Sequence, residues 1–313
     1  MCRQSSIASL TLLLIATGLA TPVPSQADLL PSAAIAQAAS AFDTYMKQGY
    51  AATAKRNYRE ALKQFRRAEE LRPGNRYATL AIQNVSNYVS RGQSQVSIFI
   101  PPNTGAPIAR VGGATRSASD CSEEQLCLIA LLPARSQGTL LTSTDYPTLL
   151  FYVSTDSAES MELRVLSADQ TSYSLQMDAP KASGIVSVSF SALQDATGKR
   201  LPPLQTGQLH RWIFTVMTNN LDRSQNPSVD GTIQRADLDP ILVETIEKTP
   251  ECDRVSLYTA NNIWYDALAT IYLARRSQGT NSQFDKDWTA LLETVGLEKF
   301  ASAPLLPCCT GRQ

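Results

Sequence analysis

The sequence predicts an α+β protein: an N-terminal helical hairpin, an antiparallel β-sandwich of immunoglobulin-like kind, and a C-terminal helical pair packed on it. Three observations predict this. Between residues 42 and 75, apolar side chains recur at helical spacing, with small residues where two helices would touch. Between 126 and 235, seven short β-branched and aromatic runs alternate with turn residues. After residue 257, apolar stripes of helical period return, and such stripes must be buried against something else. The chain has 313 residues, 43% of them apolar and 18% charged, enough to bury a core in one or two domains.

Residues 1–27 read as a secretory signal segment. Arg3 supplies a thin positive region, residues 10–16 an apolar one, and small residues frame cleavage points after Ala27 or Ala20. The apolar run is shorter than the roughly 20 residues that a spanning helix needs. The expectation is an exported protein, periplasmic or extracellular, that meets the membrane only through this segment. Cys2 precedes the apolar run, so it is not a lipid-carrying cysteine. Beyond the segment stand Cys121, Cys127, Cys252, Cys308 and Cys309, all candidates for disulfides in an oxidising compartment. An odd count leaves at least one thiol free or paired between chains, and every connectivity stays open.

The first domain is placed at residues 32–92. Tyr45, Gly49, Ala52, Tyr58, Ala61, Phe65, Ala68 and Pro73 stand at the offsets of a tetratricopeptide repeat, a helical hairpin of roughly 34 residues. Gly49 and Ala61 are small where the antiparallel helices cross, and Tyr45, Tyr58 and Phe65 fill the groove. Pro73 ends the second helix. Lys55, Arg56 and Asn57 supply a polar turn, and Ala52 departs from the usual aromatic. One repeat cannot bury its own face. A third helix is therefore expected through Tyr77, Leu80, Ala81, Val85 and Tyr88. The unit serves either as a partner-docking surface or as a spacer packed on the next domain.

Charge is unevenly shared. Residues 41–92 hold ten Lys/Arg against four Asp/Glu, and residues 94–313 hold seventeen against twenty-three, a split of +6 and −6. A positive face suits acidic envelope polymer, anionic lipid or the acidic domain itself. Glu60, Glu69 and Glu70 interrupt it, and the chain is neutral as a whole, so no nucleic-acid partner is expected.

Residues 93–117, rich in Pro and Gly, read as a linker, and residues 118–250 as the sandwich. Its strands are expected near 126–132, 148–154, 161–167, 171–176, 184–190, 209–217 and 229–235. Residues 251–313 hold the helical pair and a Cys-Cys tail. Leu257, Ala260, Trp264, Leu268 and Ile271 form one stripe; Phe284, Trp288, Leu291, Leu292 and Val295 form the next. At that spacing Trp264 and Trp288 are core residues. Ser282 with Asp285 resembles a capping box, and Gly296 can stop the second helix.

Little in the chain points to a reaction. His210 is the lone histidine, and no nucleophile elbow, zinc helix, phosphate loop or dinucleotide fingerprint is present. The acidic pairs Asp237 with Asp239 and Asp285 with Asp287 could serve glycoside hydrolysis, but they lie at element boundaries, where capping is the ordinary role. Asp222, Asp230 and Asn219 lack a calcium-loop spacing. Cys121 and Cys127 are not spaced as a zinc site or a redox motif, and adjacent Cys308 and Cys309 would bridge each other only with strain. No catalytic residue, cofactor or metal site is expected.

A family resemblance rests on ordered blocks: Arg110-Val111-Gly112-Gly113, Cys121, Leu128-Ile129-Ala130-Leu131-Leu132-Pro133, Thr144-Asp145-Tyr146-Pro147, Gly184-Ile185-Val186-Ser187, Leu209-His210-Arg211-Trp212, Asp222-Arg223-Ser224, Gly231-Thr232-Ile233-Gln234-Arg235, residues 263–268 and Cys308-Cys309. Over residues 100–310 the chain resembles the cyanobacterial domain of unknown function 928. The resemblance implies no activity and no site residue. It does imply that Cys252 is atypical and stands in for a cysteine usual near Thr218 and Asn219, and that Thr232 replaces a common tryptophan. The leading expectation is a non-enzymatic envelope protein that contacts a protein partner through the helical hairpin. The alternative is an envelope domain that binds or cleaves glycan, using Asp237 and sheet aromatics such as Tyr152 and Tyr173.

Overall fold

The computed structural model describes residues 26–92, 99, 127–133, 139–154, 158–219, 222, 226–278 and 282–307. Contacts divide the chain into Met1–Ser40 and Ala41–Gln313, and the second unit holds every described strand. The expected signal segment lies outside the described residues but for its last two positions, as do Cys121, Cys308, Cys309 and all of the 93–117 linker except Phe99. Phe99 is buried, with its ring 4.8 Å from that of Trp264.

Three helices open the described chain: α1 (Gln26–Ala54), α2 (Tyr58–Leu71) and α3 (Arg76–Ser90). Asn57 and Asn75 precede α2 and α3, and each side-chain oxygen accepts backbone N–H groups of the first turn. The small residue at Gly49 is required, because a β-carbon there would run into the Phe65 ring. Tyr58, Ala61, Phe65 and Ala68 are fully buried, Tyr45 is half-buried, and exposed Pro73 follows the end of α2. The third helix closes the hairpin by stacking Tyr88 on Tyr58, 4.6 Å between ring centres.

The strands are β1 (Leu128–Ala130), β2 (Leu140–Thr142), β3 (Thr148–Val153), β4 (Ser160–Leu166), β5 (Ser172–Asp178), β6 (Gly184–Ser189), β7 (Leu209–Met217) and β8 (Ser228–Arg235). They form two sheets, ordered β1-β3-β6 and β2-β8-β7-β4-β5. The sheets meet through aromatic rings: Phe151 of β3 stacks on Phe214 of β7 at 3.9 Å and meets Trp212 edge-on at 5.6 Å. Gly231 of β8 lies against the Trp212 ring and leaves no room for a side chain.

All seven expected strands are present, and the fold is α+β. Two details differ. Strand β2 pairs parallel to β8, so the larger sheet is mixed and not purely antiparallel. The strand order is also not the four-plus-three immunoglobulin order. The cause is local: β2 has only three residues, too few to show an alternating pattern, and it adds an edge that the other strands do not forecast.

Among the described residues a helix, α4 (Pro240–Lys248), stands at the end of the span expected as sandwich, and the region expected to hold a helical pair has three α-helices, α5 (Glu251–Ala260), α6 (Trp264–Gln278) and α7 (Ser282–Thr294). Asp239 caps α4 by accepting from the Ile241 N–H, with Pro240 at the first helical position. The stripe from Leu257 to Ile271 is broken between α5 and α6, where Asn262 adopts φ +61°. Asparagine tolerates that left-handed conformation better than most residues, so a helix can end inside an unbroken apolar pattern. Trp264 and Trp288 are fully buried as expected, and their indole N–H groups donate to the carbonyls of Leu131 and Ala301. Gly296, at φ +70°, ends the turn after α7. Leu305 then pairs parallel with Ile185, which places this segment beside β6.

Candidate functional site

The polar cluster with the most chemical character lies where β2 and β8 end and α4, α5 and α6 begin. Asp266, in the first turn of α6, is buried. Its carboxylate accepts from the Ser143 N–H at 3.1 and 3.2 Å, and from the Ser143 hydroxyl. Burial raises its carboxyl above the ordinary range, while the bonds from Ser143 and Thr142 pull it back down. Tyr258 of α5 sits against the same group. Burial pushes its phenol up to about 12, and the Asp266 charge adds to the effect. The arrangement ties the β2–β3 connection to the start of α6.

Tyr258 lines two grooves. One, of about 450 Å³, is bordered by Ser143, Thr206, Arg235 and Arg254 above an apolar floor of Leu238 and Ile246. The other, of about 250 Å³, is bordered by Tyr146, Tyr265, Asp266, Thr270 and Leu273. Arg235 donates to the Leu204 carbonyl and pairs with Asp145. Arg254 donates to the carbonyls of Thr249 and Glu247, at the end of α4. Both guanidiniums are thus held in place from one side. A third groove, of about 340 Å³, lies between Met161, Val186, Pro180, Leu306 and Pro307, and Asp178 and Lys181 on its border are charged.

Residues 111–305 match the family described as Domain of Unknown Function (DUF928), which spans both sheets, α4 to α7 and this cluster. The chain belongs to that family. No curated protein and no solved structure matches it. The family brings no activity with it, so the DUF928 domain is read from its own side chains.

The residues singled out from sequence turn out to be dispersed. Asp239 is a buried cap that also accepts from Tyr50, and Asp237 faces Arg76 of α3 in an exposed ion pair, so the two carboxylates do not share a site. Asp285 pairs with Arg275 at 2.8 Å, and Asp287 with Arg56 at 2.6 Å. Asp230 pairs with Arg211, and Asn219 donates its backbone N–H to Asn226. Among the described residues no acidic, histidine or cysteine cluster could hold a metal ion. Tyr173 is buried, and Tyr152 packs its ring 4.6 Å from Phe300, so neither offers the exposed sheet platform expected of it. His210 is buried in β7, where desolvation lowers its pKa and Nδ1 lies 3.2 Å from the Gln208 carbonyl. That is a structural histidine. Cys252 is a free, half-buried thiol in the first turn of α5, so it does not take over a bridging role; it is an unpaired cysteine of the odd set. Cys127 is buried beside β1 and is not among the free thiols.

Sequence reasoning missed two groups. The first is Ser143, Tyr258 and Asp266 with the two arginines, because they come from four separate stretches. The sequence carried one signal: a carboxylate set between Tyr265 and Ala267 inside an apolar stripe is costly to bury unless it is hydrogen-bonded. The second is Arg56, read as part of a polar turn. Its backbone sits at φ +59°, and its side chain crosses to the DUF928 domain, reaching the Ser256 hydroxyl at 2.9 Å and Asp287.

Proposed function

We propose that the chain is an exported, non-enzymatic envelope protein that works by protein contact through the outer face of its tetratricopeptide-like helices. The observation that carries this reading is how those helices are held. Tyr50 donates to Asp239, Arg56 pairs with Asp287, and Asn262 donates to Asn84, so the inner side of α1 to α3 is occupied by the DUF928 domain. The outer side is left presenting Arg59, Lys63 and Arg66 on one ridge of α2, with Leu71 and Leu80 exposed nearby. A fixed, basic, partly apolar face suits an acidic protein partner. The remaining cysteines serve as fasteners of the exported domain. The test is crosslinking and co-purification from envelope fractions, comparing the native chain with Arg59→Glu/Lys63→Glu/Arg66→Glu. A specific partner should be recovered and then lost in the variant. Unchanged recovery, or a chain retained in the cytoplasm, defeats the reading.

A second reading, glycan binding, is favoured by the paired grooves at Tyr258. Tyr146 is 37% exposed on one of them, and hydroxyl and carboxylate groups line both. The cleavage variant of that reading has lost its carboxylate pair, since Asp237 and Asp239 are committed to Arg76 and to the α4 cap. Binding without turnover is what remains.

A further inference from the structure

We infer that the two grooves that share Tyr258 as a wall act as one site for an acidic saccharide, with Tyr146 beneath a sugar ring at one end and Arg235 with Arg254 facing a sugar carboxylate at the other. The inference rests on the glycan reading and specifies its ligand class.

The aromatic end is built for a ring face. Tyr146 follows β2 and is 37% exposed, and Leu273 of α6, across the same groove, is 52% exposed. Scattered surface apolar residues need no explanation, but two large ones facing one groove beside Pro147 form a platform. The C–H face of a pyranose is apolar and slightly positive, and it suits the negative face of a phenol ring. The middle of the site is built for hydroxyls. Ser143, Thr206 and Thr270 offer groups that both donate and accept, and the Asp266 carboxylate accepts only. Asp266 is held rigid by Ser143, so little ordering is left for binding to impose.

The arginine end decides the charge of the ligand. Arg235 spends Nη1 on the Leu204 carbonyl and on its ion pair with Asp145, and Arg254 spends Nε and Nη2 on carbonyls of the α4 end. A guanidinium has five N–H donors, so each keeps some in hand, in the planar fork that matches a carboxylate. Two like charges lining one groove attract an anion more strongly than either alone. Asp237 also borders this groove but is paired with Arg76, while Glu247 on the border and Asp145 behind Arg235 offset part of the charge, so the donors left on the two forks carry the selectivity. The two volumes together fall in the roughly 300–1,000 Å³ range of small-ligand sites.

The test is titration calorimetry of the full-length protein with a uronic-acid tetrasaccharide and with its neutral, carboxyl-reduced counterpart. The acidic probe should bind at least roughly tenfold more tightly, the size expected for one charge-assisted bidentate contact. Arg235→Gln and Arg254→Gln should each bring the acidic probe to the level of the neutral one, whereas Tyr146→Ala should weaken both alike. Arg254 also holds the end of α4, so thermal melting is followed alongside, and Arg235→Gln with Tyr146→Ala carry the test should Arg254→Gln melt early. Equal binding of the two probes overturns the acidic assignment and leaves the glycan reading standing. Absence of binding by either overturns both. Acidic-probe binding that all three folded variants retain in full overturns the site.

Discussion

The two sheets meet through aromatic rings, whereas α1 to α3 share the continuous apolar core and add a set of polar pairs to their junction with the DUF928 domain. At the first junction Phe151, Trp212 and Phe214 bury their rings against one another. At the second, Tyr50–Asp239, Arg56–Asp287 and Asn84–Asn262 cross, with Arg56–Ser256 and the exposed pairs Lys47–Glu244 and Arg76–Asp237 beside them, and the Asp287 carboxylate is fully buried. Hydrophobic contact is non-directional and tolerates exchange of shape for similar shape. A buried ion pair is directional, and its Coulomb gain is largely offset by desolvation. The dry junction therefore holds by packing alone, and at the other the directional pairs specify how the helices dock.

The largest effect should come from the dry junction. Trp212→Ala should cost about 3–5 kcal/mol in urea unfolding, because it removes a fully buried ring and the bond from its N–H to the Tyr265 hydroxyl. A loss below about 1 kcal/mol would mean that the sheets do not pack there.

Next comes the ion pair. Asp287→Ala should cost about 3 kcal/mol, since it strands Arg56 with 14% of its side chain exposed. The double replacement Arg56→Met/Asp287→Leu should recover most of that loss in the same unfolding experiment. If the double variant is as unstable as the single one, the pair contributes net stability, and the contrast drawn between the junctions fails. If it recovers stability but loses the docked arrangement of the helices by small-angle scattering, the contrast is sharpened.

A smaller effect separates backbone from side chain at the same residue. Arg56 holds φ +59°, which costs most residues but not glycine. Arg56→Gly should therefore be about 1 kcal/mol less destabilising than Arg56→Ala, read from their urea midpoints.

The smallest effect is on pH dependence. Burial raises the Asp266 carboxyl above its ordinary 3.8, so between 3.8 and the raised value the folded chain holds more proton than the unfolded one. That contribution is present in full below 3.8 and is lost as pH rises through the raised value. Asp266→Asn, which does not titrate, should lose less melting temperature than the native chain over that interval. Equal slopes would mean that the Ser143 bonds cancel the burial effect.

Much of the α+β layout could be read locally. Gly49 against Phe65, Tyr58 as groove filler, the seven strands and the buried Trp264 and Trp288 each rest on patterns within one or two elements. The candidate site could not be read so. Ser143, Arg235, Arg254, Tyr258 and Asp266 come from a turn, a strand end and two helices, and they are brought together only by the two grooves that share Tyr258.

Sequence sufficed for which residues are apolar, at what period, and for the element boundaries at Asp239 and Gly296. Those are short-range matters of backbone geometry and burial. Tertiary structure alone decided that β2 joins β8 in parallel, that Asn262 breaks one stripe into α5 and α6, and that Arg56 reaches Asp287 across 231 positions. The reason is physical. Desolvation and long-range pairing depend on what the rest of the chain places beside a group, and a local pattern carries no record of that neighbour.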